Sequence, residues 1–308
     1  FLIFKEISPM AQGKVTASTL NLRTAPNTGS GVLTSLPTGE IIDILSTITG
    51  GTYPVGSGTS NQWHNVRVDD KTGFVAAAFV QLLAPPGTLQ GNIESAPPGL
   101  IGFDCASKLN PTLINKFAND PKGFRYCLRY LSLGAQQTNV DISRQEAEDI
   151  LASGLALSPV QRVRRAGWSP TGSLGTNTGQ NASNNAVSVG FPPGINIWLD
   201  LEGVKAGTSA SNVIAYCNNW FDEVAAKNYV PGIYVGADAI LTGTQLANLK
   251  FQHYWKSGST VPSIPGRGYQ LIQTIPNPPL GLLRHGIHID LNVTQTDSLG
   301  GQVIWLRR

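Results

Sequence analysis

Apolar residues recur along this chain with two different periods. Up to Val75 they alternate in short runs: Val15-Thr16-Ala17, Leu20-Asn21-Leu22-Arg23, Val32-Leu33-Thr34-Ser35-Leu36, residues 40–45, 63–68, and Phe74-Val75. Successive side chains on a strand face opposite ways, so each run reads as a half-buried strand. Residues 24–27, 37–39 and 69–73 carry the Pro, Gly, Asn and Asp of the turns between them. Short, evenly spaced strands predict a small all-β barrel over residues 14–84, after an N-terminal extension of residues 1–13. Residues 49–61, rich in Gly, Ser and Thr, read as an enlarged loop. Trp63 and Tyr53 are candidates for lining a groove, and Trp63 equally for filling the core. Residues 85–98 begin and end in proline pairs, which predicts an extended, semi-stiff linker.

From residue 99 the pattern changes to strands alternating with helices. Apolar, β-forming runs occupy residues 100–104, 124–131, 155–163, 195–203, 230–235, 251–255, 269–273 and 287–291, with a further edge strand at 303–306. Helix signals separate several of them. Asn110-Pro111 is a cap with proline at the first position. Ser143 and Glu146 form a capping box for a helix stopping at Gly154. Val213, Ile214, Cys217, Trp220, Phe221 and Val224 repeat with helical period after Ser209 or Ser211, and residues 242–250 read as a helix. Residues 167–186, full of Gly, Asn, Ser and Thr, read as a long loop with a short helix near 181–189. Eight strands with intervening helices over residues 99–308 predict a (β/α)8, TIM-type barrel and hence a multi-domain protein.

In such a barrel the active site lies at the C-terminal strand ends. Asp104, Asp200, Glu202 and Asp290 all fall there, on strands one, four and eight. Asp200 and Glu202, two residues apart on a strand, share one face. Acids at the exit of a buried strand are costly if only structural. Glycosidic-bond hydrolysis needs such a set: one carboxyl that keeps its proton beside another that is ionised. The bland alternative is a strand end whose acids bind loop amides or a cation. A divalent-cation site lacks an accompanying carbonyl-rich loop, so no metal and no cofactor are assigned. Trp255, Trp168, Tyr234 and Tyr130 lie near strand ends and are candidates for stacking on sugars, Trp255 and Trp168 first, with core packing as the alternative for each. Arg129 is a candidate for reaching a glycan carboxylate or for neutralising the acids. His288 shares a face with Asp290 and reads as a packing or hydrogen-bonding residue.

Composition narrows the partners. Charged residues make up 13% of the chain and the net charge is +3, too little for a nucleic-acid binder. No apolar run is long enough to insert in a membrane. Three cysteines without CxxC spacing, Cys105, Cys127 and Cys217, form neither a disulfide framework nor a zinc site. Met10, the one methionine, reads as the natural start, with residues 1–9 from upstream; no signal peptide is visible.

The stretches LNLRTAP, LPTGEIIDI, QWHNVRV and KTGFVAAAFVQLL resemble the bacterial SH3-like domain, whose members often bind cell-wall peptides and target attached hydrolases. GFDCAS, IWLDLEG and IHIDLN resemble the first, fourth and last strand motifs of glycoside hydrolase family 25, the Chalaropsis-type lysozymes. GFD, LRYL, ISRQEAEDILASGLAL and VPGIYVG resemble more closely a relative of that family, the glycoside-hydrolase-like (β/α)8 domain of unknown function. This resemblance implies Glu202 as general acid. Asp200 would stabilise the oxocarbenium charge or position the substrate's acetamido group, and Asp104 and Asp290 would tune the partner carboxyl. It implies a muramidase-like enzyme acting on peptidoglycan, outside the cell or delivered to the wall by lysis, particle loading or non-classical export. The alternatives are a non-catalytic wall-binding or structural module of a phage or secreted particle, and a secreted antibacterial effector with the same chemistry.

Overall fold

Alternation at period two builds the first unit. A computed structural model describes residues 11–83, 87–275 and 281–308. It divides the chain into two units, Phe1–Gly87 and Thr88–Arg308. In the first, β1 (Ala11–Val15), β2 (Thr19–Arg23), β3 (Val32–Pro37), β4 (Ile41–Val55), β5 (Gly58–Val68), β6 (Lys71–Ala76) and β7 (Val80–Leu83) form one antiparallel sheet. Its order is β3-β2-β6-β5-β4-β1-β7. β1 begins inside the expected N-terminal extension, of which residues 1–10 lie outside the described residues. The expected loop at 49–61 is instead the continuation of the β4–β5 hairpin. Gly50 permits this: a Cβ there would come within 2.2 Å of the Pro26 carbonyl oxygen. Tyr53 and Trp63 are both buried, ring edge to ring face at 5.2 Å. The Trp63 indole donates to the Gly51 carbonyl (2.8 Å) and the Tyr53 hydroxyl to the Gln62 carbonyl (2.6 Å). They are core, not groove.

The second unit holds β8 (Asn92–Ser95), β9 (Ile101–Asp104), β10 (Tyr126–Leu131), β11 (Ala156–Gln161), β12 (Asn196–Leu201), β13 (Val230–Val235), β14 (His253–Lys256), β15 (Leu271–Thr274), β16 (Leu282–Arg284), β17 (Ile287–Thr294) and β18 (Ile304–Arg307). Strands β9 to β15 pair in parallel, one after the next. β17 closes the ring by pairing antiparallel with both β15 and β9. The barrel is therefore closed and eight-stranded but mixed, where an all-parallel (β/α)8 barrel was expected. The helices α1 (Pro111–Ala118), α2 (Arg144–Ala152), α3 (Gly172–Val189), α4 (Ala210–Ala225) and α5 (Gly243–Ala247) follow β9 to β13 in turn. Among the described residues, the connections after β14 and β15 carry no helix; the last carries the β16 hairpin, and residues 276–280 lie outside the description. A parallel strand needs a long crossover and a reversed one does not, so the short connection into β17 goes with its reversal.

Inward positions Tyr126, Leu128, Val160, Trp198, Trp255 and Leu271 form one apolar cluster inside the barrel. Outward positions such as Phe103, Cys127, Leu157 and Ile233 join the helices in a second, larger one. Glycine makes room for the inner rings: a Cβ on Gly102 would lie 2.4 Å from the Tyr126 ring, and one on Gly232 2.4 Å from Trp198. Part of the expected linker belongs to this unit. β8 pairs with β18, and Leu89 and Ala96 are buried; residues 84–86 lie outside the described residues. The expected long loop at 167–186 is largely α3, capped by the Thr171 hydroxyl at one end and by Gly190 at φ 101° at the other. No helix among the described residues is long and apolar enough to cross a membrane.

Candidate active site

Four carboxyl groups meet at one barrel mouth. Asp104 ends β9, and Asp200 and Glu202 lie at the end of β12 and just past it, on the inward face continued from Trp198. Asp290 arrives by a different route from the one its sequence position implies. It sits midway along the reversed β17, yet its register partner is Asp104, which puts it at the same mouth.

Asp104 is buried and surrounded by donors. The Gln273 amide reaches its Oδ2 at 2.9 Å and the Asn292 amide the same oxygen at 2.7 Å, while the Tyr130 hydroxyl lies 3.4 Å from Oδ1. An amide side chain can turn either end toward an acid, and here both are fixed from behind. The Tyr234 hydroxyl donates to the Gln273 carbonyl oxygen at 2.8 Å. The Trp255 indole donates to the Asn292 carbonyl oxygen at 2.9 Å. Each NH2 group is thereby turned onto Asp104. Burial pushes the Asp104 carboxyl up from its ordinary range, and the bonds from Gln273, Asn292 and Tyr130 oppose that.

The other three acids have less support. Burial, then Glu202 and Asp104, push Asp200 well above the ordinary range, and its Oδ1 is buried with no hydrogen-bond partner. Burial and the Asp104 charge raise Glu202. Burial, then Asp104 and Glu202, bring Asp290 up to about 7; the Gln273 amide lies 3.5 Å from its Oδ2. No ion pair among the described residues includes any of the four. Close approach is again made by glycine. A Cβ on Gly236 would fall 2.4 Å from the Glu202 Cβ, and one on Gly281 2.5 Å from Asp290 Oδ1. Such a mouth can retain a transferable proton near neutral pH while Asp104 supplies negative charge beside it.

The aromatic candidates separate. Trp255 (1% exposed) and Tyr234 (7%) are packed edge to face at 4.6 Å beneath the acids and orient amides; they are not open stacking platforms. Tyr130 is half-buried, touches Asp104, and carries the Arg162 guanidinium 5.2 Å from its ring centre. Trp168 is half-buried beside the site, its indole donating to the Glu202 carbonyl at 2.8 Å and its ring meeting Tyr216 edge-on. Arg129 is not at the mouth. It sits on the outward face of β10, 0% exposed, with Nε 2.7 Å from Glu146 of α2 and Nη1 2.6 Å from the Cys105 carbonyl. Strand alternation explains this: Tyr130 faces in, so Arg129 faces the helices. His288 is exposed on the β16–β17 hairpin. Among the described residues no three His, Cys, Asp or Glu side chains are arranged to hold a metal ion.

Gln273 and Asn292 are the site residues that sequence reasoning missed. A signal was present: Asn292 lies two residues beyond Asp290 and shares its face, and Gln273 lies two beyond the inward Leu271.

The model for the Rv2525c-like, glycoside hydrolase-like domain matches residues 118–274, a span holding Asp200, Glu202, Tyr130 and Gln273. The bacterial SH3 domain model matches residues 18–81. Among solved structures, the Mycobacterium tuberculosis Tat-secreted protein Rv2525c in complex with L-tartrate is 18% identical, over 67% of this chain and 99% of that one, with a TM-score of 0.49. The catalytic domain of endolysin ply40 from bacteriophage P40 of Listeria monocytogenes is 21% identical, over 65% and 95%, with a TM-score of 0.47. The modular autolysin LytC from Streptococcus pneumoniae is 12% identical, over 79% and 61%, with a TM-score of 0.46. No curated protein matches the chain significantly. The family match spans more than half of the sequence, and the chain belongs to the Rv2525c-like, glycoside hydrolase-like domain family, with a bacterial SH3 domain preceding that domain.

Proposed function

We propose that the barrel hydrolyses the glycan strands of peptidoglycan, at an N-acetylmuramyl bond, and that the SH3 domain holds it on the wall. The observation that carries this reading is the set of four carboxyl groups at one mouth, all pushed above the ordinary carboxylate pKa range and none ion-paired among the described residues. A purely structural cluster gains stability from cationic partners; a glycosidase needs the proton that such partners would remove.

The roles follow from exposure and donors. Glu202 is the more open member of the Asp200–Glu202 pair and is the general acid, protonating the leaving oxygen. Asp200, behind it, stabilises the positive charge that develops on the sugar ring or positions the substrate's acetamido group. Asp104, held by its amide donors, keeps the proton on Glu202 through its own charge. Asp290 adds to the same field from across the mouth. Trp168 offers a partly open aromatic face next to Glu202, suited to the apolar face of a sugar.

The test is reducing-end release from purified peptidoglycan by the wild type and by Glu202→Gln. The swap keeps shape and removes the transferable proton, so release should fall by about 10²-fold or more. Absence of release by the wild type from walls of several chemotypes, with wall binding intact, would turn the reading to a binding module. Undiminished release by the variant would move the acid elsewhere.

A further inference from the structure

The strand next to the acids on β12 leads into a run of cations. Gln161 is the last residue of β11, Arg162-Val163-Arg164-Arg165 follows it, and Lys205 follows Glu202 by three residues. The two segments are zipped together at the rim. The Gly167 amide donates to the Gly203 carbonyl at 2.8 Å, the Lys205 amide to the Trp168 carbonyl at 2.8 Å, and the Trp168 indole to the Glu202 carbonyl at 2.8 Å. Gly203, at φ 63°, lets Ala166 pack against it, with a Cβ there only 3.1 Å from the Ala166 Cα. This loop is held at a fixed place beside the general acid.

The cations on it have little to neutralise them. Arg162 is held by Asp141. Among the described residues, the side chains of Arg164, Arg165 and Lys205 have no ion-pair or hydrogen-bond partner, and the Arg164 Nε is shielded from water without an acceptor. No Asp or Glu occurs in the sequence between Asp149 and Asp200, so α3, which starts just beyond the loop, is uncharged. The same mouth carries four acids on its floor. A substrate with a carboxylate must keep it off that floor, and the unpaired guanidinium groups on the rim offer it a bidentate partner.

We propose that Arg164 and Arg165, with Lys205 beside them, bind a carboxylate attached to the glycan, next to the sugar that stacks on Trp168. The proposal rests on the glycoside hydrolase reading and narrows it to glycans with acidic substituents. On a peptidoglycan strand that carboxylate has two sources, the lactyl ether of N-acetylmuramic acid and the stem peptide attached to it.

The test uses the full chain carrying Glu202→Gln, titrated calorimetrically with three oligosaccharides of equal length. One is built of N-acetylglucosamine alone. One alternates it with N-acetylmuramic acid whose lactyl carboxylate is free, and the third carries stem peptides as well. At least one acidic ligand should bind about tenfold tighter than the neutral one, the scale of a single charge-assisted contact; which one does so names the source. Adding Arg164→Gln, or separately the exposed Arg165→Gln, should narrow that gap and leave neutral-ligand affinity unchanged, which also shows that the variants fold. Equal affinity for all three ligands overturns the carboxylate subsite and leaves the hydrolase reading standing. A gap that survives both arginine variants places the carboxylate elsewhere, the SH3 domain included, and also overturns it. Binding of none of the three overturns both readings.

Discussion

Asp104 does more at the mouth than its buried position implies. It is the acid held by three donors, and its charge helps to raise Asp200, Glu202 and Asp290 alike. Replacing it by Asn keeps the shape and deletes the charge. Glu202 then loses its proton more easily, so its pKa falls. A general acid must be protonated to act, and its titration sets the alkaline limb of kcat/KM. The Asp104→Asn variant should therefore lose activity at lower pH than the wild type. A pH profile on a soluble muramyl oligosaccharide reads this directly. An alkaline limb that stays put, or moves upward, would show that Asp104 does not hold the proton on Glu202. At this scale the sequence was partly legible. All four acids stood out because acids at the ends of apolar strands are rare. The amides behind them did not, since Gln273 and Asn292 carry no charge and their roles depend on which way Tyr234 and Trp255 turn them.

Between elements, α3 separates propensity from packing most clearly. Its sequence, Gly172–Val189, is rich in Gly, Asn, Ser and Thr, all poor helix formers, and reads as loop. Two glycines make it a helix by bringing it against α4. A Cβ on Gly175 would fall 2.2 Å from the Tyr216 carbonyl oxygen, and one on Gly179 2.8 Å from that of Trp220. Burial of that interface outweighs the local preference, a tertiary effect that no local window of sequence contains. The competing magnitudes give a test. Gly175→Ala gains about 1 kcal/mol of helix propensity. It also forces backbone against backbone, where overpacking costs about 1–3 kcal/mol or more. The variant should be net destabilised by about 1–2 kcal/mol in urea unfolding; a gain in stability would mean that α3 and α4 can separate freely. The eight barrel strands were legible because their apolar runs are long and bounded by turns. The direction of the last was not, because residues 287–291 show the same alternation whether the strand runs up or down.

At the scale of the whole molecule, each unit has apolar clusters of its own among the described residues. One apolar cluster runs from Val15 to Val80, and the others begin at Leu89. A unit with its own core is expected to fold alone, so a cut between Gly87 and Thr88 should leave two folded pieces. The consequence for function is one of effective concentration. If the SH3 domain holds the wall, it keeps the barrel near insoluble glycan without altering the chemistry at its mouth. The piece 88–308 should then cleave soluble muramyl oligosaccharides with the kcat/KM of the full chain. On whole walls its rate should fall by at least tenfold, and it should no longer pellet with them. The SH3 piece alone should pellet. Full wall activity in the isolated barrel would remove the targeting role, since tethering would then add nothing. Loss of activity on the soluble substrate as well, with circular dichroism showing an unfolded piece, would contradict the separation of cores.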